Sequence, residues 1–222
     1  MGIWLEAWQY ALAHADRVLA ALVQHLRLVA VPLAIGLAIG LPLGLASARS
    51  RLAAAVLVNG AYSLRLLPSL AVLFLAMPYL GLTFRAAAVA LTLLVVPPIV
   101  ASTDAAFRNL SAEVREAAAG MGLSPCQRFW RIELPLALPM VLAGVKTATI
   151  EAIASATLAA FIGVGGLGSF VMLGFSLYDE AILLVGAVPI AALALLAEGV
   201  LSALQRWCQP PQPACKRERT AR

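Results

Sequence analysis

Several groups of residues in this sequence have types and spacings that could support chemistry. Gly163-Val164-Gly165-Gly166-Leu167-Gly168 has the Gly-x-Gly-x-x-Gly spacing of a dinucleotide fingerprint. That motif works only after a strand and before a helix in a soluble βαβ unit. Here it follows a long apolar run and enters a segment, residues 163–180, without Lys or Arg. Nucleotide chemistry is therefore not expected, and the glycines read as a flexible helix end. Gly144-Val145-Lys146-Thr147 faintly resembles a phosphate loop but lacks the adjacent Gly-Lys pair and the upstream glycine. No ATP is expected to bind this chain. Cys126, Cys208 and Cys215 are odd in number and widely spaced, and neither His14 nor His25 lies near them in sequence. They read as incidental thiols, with no metal and no cofactor implied.

The remaining candidates are charges inside apolar runs: Arg65, Lys146, Glu151 and Glu198. A charge near the centre of a membrane span costs about 2.5–3.5 kcal/mol on insertion scales, and a Leu or Ile returns only about 0.3–0.6 kcal/mol. Such groups face a cavity or a partner. Arg65 and Glu151 are therefore pathway or gate candidates, with structural pairing as the alternative. Ser69 and the glycines Gly163, Gly165, Gly166 and Gly168 join them as candidates on the same route. Lys146 and Glu151 are close enough in sequence to pair imperfectly, and Glu198 lies near enough to its span's end to snorkel.

The elements that must position these residues are membrane helices. The 222-residue chain is 62% hydrophobic and only 12% charged, with mean hydropathy +0.92. A soluble domain carries about a quarter charged residues, so there is too little polar surface to coat a soluble globule. The net charge of +5 is split into short clusters between apolar runs, which argues against nucleic acid and for a membrane protein's inner face. Five runs are long enough to span: Leu28–Ala48, Leu52–Phe84, Ala86–Thr103, Leu134–Ile162 and Ala181–Ala203. The second is kinked at Pro68, with Asn59-Gly60 as a possible break. Arg49 and Arg51, then Arg108, Arg115, Arg128 and Arg131, then the tail cations, all fall on one side only if the second run crosses once. The expectation is thus an all-α protein of five transmembrane helices, N-terminus outside and C-terminus inside. Residues 1–21 form an interfacial segment, with Trp4, Trp8 and Tyr10 at the outer face. The spanning domain covers residues 22–206. Residues 207–222 form a basic, Pro-rich cytoplasmic tail, without fixed structure from Gln209 to Arg222. Gly36, Gly40 and Gly44 make a small-residue face for close helix packing, within the subunit or between subunits.

The most informative stretch is residues 111–135, between the third and fourth spans. Ser111 is placed to cap a short helix, and Gly122 to end it in a left-handed turn. Ser124, Pro125 and Gln127 open a second helix with a capping box, and Pro135 marks the boundary with the next span. A helix-turn-helix of this kind suits a partner, with Leu123, Phe129 and Trp130 offering an apolar face.

Glu116, Ala117, Ala118, Gly122, Ile132, Leu134 and Pro135 resemble, at every position and spacing, the EAA signature of ABC importer permeases. The resemblance runs from about Gln24 to about Gln205. It implies the type-1 importer permease fold, like that of the methionine importer, in a bacterial inner membrane. It also implies that residues 116–130 form a coupling helix docked on a separate cytoplasmic ATPase dimer. A second permease subunit, identical or a sister chain, and an extracytoplasmic substrate-binding protein complete the implied assembly. The chain itself would be a transport subunit and not an enzyme. From Ser155 to Glu198 the sequence is similar to permeases for glycine betaine, choline, carnitine and related osmoprotectants, although Arg65 and Glu151 depart from their usual pattern. Alternatives are an importer of amino acids or another small polar solute and, in a different class, a secondary transporter. The absence of an inverted repeat weighs against that last reading.

Overall fold

The computed structural model describes residues 2–209, so the sequence reading of the tail beyond 209, with Cys215, lies outside them. Ten α-helices follow one another and no strand occurs among the described residues: α1 (Ile3–Ala13), α2 (Ala15–Arg49), α3 (Arg51–Arg65), α4 (Ser69–Leu80), α5 (Phe84–Arg108), α6 (Ala112–Gly120), α7 (Pro125–Arg128), α8 (Leu134–Leu158), α9 (Gly168–Leu177) and α10 (Glu180–Cys208). A π-helical turn, Phe129–Glu133, joins α7 to α8, and a 3-10 turn, Ala159–Ile162, extends α8. Without water to satisfy backbone groups, a chain this apolar pairs them within helices. Thr83 and Asp179 cap α5 and α10 through their side-chain oxygens.

Four helical stretches are long and apolar enough to cross a membrane: Ala15–Arg49, Phe84–Arg108, Pro125–Ile162 and Glu180–Cys208. A bent pair, α3 and α4, is long and apolar enough only when its two helices are taken together. The sequence reading treated Leu52–Phe84 as one long kinked helix, but α3 and α4 meet at 96°. Pro68, the N-cap of α4, has an extended backbone (φ −58°, ψ 129°) and no N–H with which to carry α3 on. The first span also begins earlier than its apolar run, at Ala15, so α2 passes through residue 21 without a break.

The core forms around α5, which lies between α2 and α8 and is flanked by α3 and α4. Ala87, Ala90, Leu91, Val95 and Ile99 of α5 are fully buried. The small-residue face settles here, inside the subunit. A Cβ on Gly36 would stand 2.8 Å from Val95, one on Gly40 2.8 Å from Ile99, and one on Gly44 2.5 Å from Thr103. The contacts advance in step along both helices, so α2 and α5 run parallel. The α3–α4 pair between them must therefore return across the membrane once, which gives five crossings.

Candidate coupling site and intramembrane charges

The segment between α5 and α8 has the local structure its sequence predicts. Ser111 Oγ accepts from the Val114 N–H at 3.3 Å. Ser124 Oγ accepts from the Gln127 N–H at 3.3 Å, and Gln127 Oε1 accepts from the Ser124 N–H at 3.0 Å, closing the capping box. Gly122 has φ +78°. The Leu123 N–H reaches the Ala118 carbonyl at 3.3 Å and the Gly122 N–H that of Ala119 at 2.9 Å. This paired closure is the Schellman arrangement, and its left-handed residue favours glycine. Pro135 marks a change of helix type and not a break: α8 begins at Leu134, directly after the π-turn, while helix runs on from Pro125 to Ile162.

Exposure divides the motif residues. Ala118 is fully buried. Glu116, Ala117, Gly122 and Pro135 are exposed, while Leu123, Phe129, Ile132 and Leu134 are half-buried. The expected apolar face is corrected in part. Phe129 turns inward and stacks on Phe107, with ring centroids 5.7 Å apart. Trp130 remains 62% exposed, edge-on to Phe129. Met121, which the sequence reading passed over, is 70% exposed at the tip of the turn.

Glu133, also overlooked, ties this unit to the bundle. Its Oε1 lies 3.1 Å from Arg128 Nε and 3.6 Å from Arg115 Nε. Arg115 Nη2 donates to the Phe107 carbonyl at 2.6 Å. Beside it, Asp104 accepts from Ser47 Oγ at 2.7 Å and from Arg108 Nη2 at 2.7 Å and Nε at 3.1 Å. Arg108 Nη2 also donates to the Ser47 carbonyl at 2.7 Å. This lattice binds the end of α2 to the end of α5. The Asp104/Arg108 spacing on one helix face was the available signal; the partner Ser47 carried none.

The intramembrane charges pair differently from the sequence expectation. Lys146 does not meet Glu151. It reaches Glu198 Oε1 at 3.3 Å and Ser202 Oγ at 3.2 Å, on α10, so Glu198 is partnered and not simply snorkelling. Glu151 Oε2 instead faces Arg65 Nη2 at 3.6 Å. Arg65 ends α3 at the 96° break, and Ser69 opens α4 just beyond it. The glycine segment is also corrected. Gly163, Gly165 and Gly166 adopt positive φ, yet the turn is pinned in place. Gln24 donates to the Val164 carbonyl, Gly166 packs on His25 and Leu28, and a Cβ on Gly168 would collide with the Thr157 carbonyl. Gly168 opens helix α9, an element not expected within residues 163–180.

A profile of the family described as "Binding-protein-dependent transport system inner membrane component" matches residues 40–210. The chain belongs to this family. It is a multi-pass inner-membrane permease subunit of an ABC importer, and in this family ATP hydrolysis resides in a separate subunit. Among its relatives, the choline transport system permease protein OpuBB of Bacillus subtilis is 33% identical over 202 residues, covering 91% of this chain and 93% of the relative. The glycine betaine/carnitine/choline transport system permease protein OpuCB of the same organism is 34% identical over 187 residues, 84% and 86% of the two chains. The osmoprotectant import permease protein OsmW of Salmonella typhimurium is 34% identical over 206 residues, 90% and 96%. The fold is shared with an inward-facing MetNI methionine ABC transporter structure at TM-score 0.77 and 21% identity, covering 88% of this chain and 98% of that one. An importer permease of this fold implies an ATPase partner and a substrate-binding partner.

Proposed function

We propose that this subunit carries small osmoprotectants of the quaternary-ammonium type, such as glycine betaine, choline or carnitine. The observation that carries this reading is the breadth of its likeness to OpuBB, OpuCB and OsmW, permeases named for these solutes and matched over more than four-fifths of the chain. Residues 22–206 act as the permease domain, with residues 1–21 at the outer face and residues 207–222 as a basic cytoplasmic tail. The N-terminus is outside and the C-terminus inside, because this places the Arg49/Arg51 and Arg108–Arg131 clusters in the cytoplasm.

In this reading two permease subunits, identical or sister chains, line one pathway, with two ATPase subunits below and a binding protein above. The residues Glu116, Ala117, Ala118, Gly122, Leu123, Phe129, Trp130, Ile132, Leu134 and Pro135 form the coupling unit. Of these, the exposed Trp130, together with Met121, would contact the ATPase, while Phe129 holds the unit to Phe107. Closure of the ATPases on ATP would displace the turn around Gly122. Continuous helix from Pro125 to Ile162 spans 38 residues, about 57 Å at 1.5 Å per residue, and would carry that displacement along α8 to Glu151 and the glycine turn. A purified complex with its cognate binding protein should hydrolyse ATP faster with glycine betaine or choline. Stimulation by amino acids, with none by a panel of quaternary-ammonium compounds, would refute the substrate assignment.

A further inference from the structure

One side of α8 and the 3-10 turn that extends it is left uncovered along the membrane: Thr147, Ala154 and Phe161 are exposed, and Glu151 and Leu158 lie half-covered between them. These positions share a single face at helical spacing. An apolar surface would suit lipid, but this one carries a carboxylate, and Arg65 stands opposite it at the break between α3 and α4. Charges at such depth face protein or a water-filled cavity. The side chains of Arg65 and Glu151 remain 39% and 30% exposed, so both border that space, although the Glu151 oxygen nearest Arg65 is itself buried.

The pair is loosely made. At 3.6 Å it exceeds the roughly 2.7–2.9 Å of a charge-assisted hydrogen bond. Glu151 Oε2 is buried and receives no hydrogen bond. Lys146, the one cation on α8, is held by Glu198 and Ser202 and does not compete for Glu151. Arg65 thus carries a guanidinium fork with capacity to spare, and Glu151 a carboxylate with an unused oxygen.

We propose that Arg65 and Glu151 are the solute-contact site of the pathway: the guanidinium takes a solute's carboxylate and Glu151 takes its quaternary ammonium. The proposal rests on the osmoprotectant reading above and adds to it a site and a solute preference particular to this chain, whose Arg65 and Glu151 depart from the usual pattern of such permeases. A zwitterion entering between the two replaces each protein charge's partner with one of its own, so neither is left bare. Choline has no carboxylate; it pairs with Glu151 but leaves Arg65 unmatched. Arginine's planar fork suits a carboxylate in a way an ammonium does not.

The test uses the assembled complex of permease, ATPase and binding protein in proteoliposomes, comparing initial uptake of glycine betaine and choline. In Arg65→Gln, glycine betaine uptake should fall about tenfold more than choline uptake, the scale of one lost charge-assisted hydrogen bond. In Glu151→Gln, choline uptake should fall at least as far as that of glycine betaine. Arg65→Lys keeps the charge without the fork and should selectively impair glycine betaine, which keeps the test open if a Gln variant fails to assemble. Equal loss of both solutes in the assembled Arg65 variants would overturn the proposal. So would wild-type uptake of both by the double variant Arg65→Gln/Glu151→Gln, which is the behaviour of a structural pair. Failure of the wild-type complex to take up either solute would instead defeat the osmoprotectant reading itself.

Discussion

Replacing Gly122 with valine isolates the turn for which the coupling role is proposed. Gly122 has φ +78°, and a Cβ there would have no atom within 4 Å. The substitution therefore meets no steric neighbour, and its whole cost lies in the backbone. A residue with a Cβ in the left-handed region costs about 1–2 kcal/mol, and a β-branched one nears the roughly 3 kcal/mol upper range for strained positions. A loss of 1.4 kcal/mol is about a tenfold shift in an equilibrium, so the native turn should be depopulated by roughly ten- to a hundredfold relative to rearranged forms. Gly120 supplies the control. It also has open space around it, lies within α6 and lacks positive φ. Gly120→Ala should be neutral or stabilising by about 0.4–1 kcal/mol. Both variants should be reconstituted with the ATPase and binding protein, and solute uptake measured per ATP hydrolysed. Gly122→Val should assemble yet transport much less per ATP, while Gly120→Ala should match wild type. Wild-type coupling in Gly122→Val would refute the role given to the turn, and equal damage from both variants would refute its left-handed cause.

Three further outcomes are expected. Gly44→Val should lower the unfolding temperature of the detergent-solubilised subunit, because its Cβ would lie 2.5 Å from Thr103 and 2.9 Å from the Val100 carbonyl; overpacking of this kind costs about 1–3 kcal/mol. Gly199→Val, with open space around it, should cost less in the same measurement. Asp104→Ala should destabilise the subunit more than Ser47→Ala, since it removes the acceptor of Ser47 Oγ and of two Arg108 bonds at once; equal unfolding temperatures would contradict the network described. Reporter fusions after Gly81 and Gly168 should read as external and a fusion after Arg115 as cytoplasmic; a cytoplasmic Gly168 fusion would overturn the orientation.

What could be read from the sequence was what is local. The Ser111 cap, the left-handed Gly122 and the Ser124/Gln127 box depend on residues within one turn of each other, and each is present in the structure. Membrane helices were legible for the same reason, since their length and apolarity need no knowledge of neighbours. What stayed hidden depends on residues far apart in the chain. Lys146 pairs with Glu198 across two helices, not with the nearby Glu151. Asp104 finds Ser47, whose hydroxyl has no signature in sequence. The 96° turn at Leu66–Pro68 was visible as a proline but not in its angle, which the packing of α3 and α4 on α5 determines. Pro135 misled because the π-turn that joins α7 to α8 just ahead of it carries no signature in sequence. The glycine segment misled in the opposite sense: conformational freedom in the residue type became a tight, anchored turn once α2 packed on it.

The most direct test of the account is uptake of labelled glycine betaine and choline into proteoliposomes holding this permease with its ATPase and binding protein. The account predicts accumulation that requires enclosed ATP and the binding protein, and that persists when proton and sodium gradients are collapsed. Accumulation driven by an ion gradient without ATP would contradict it.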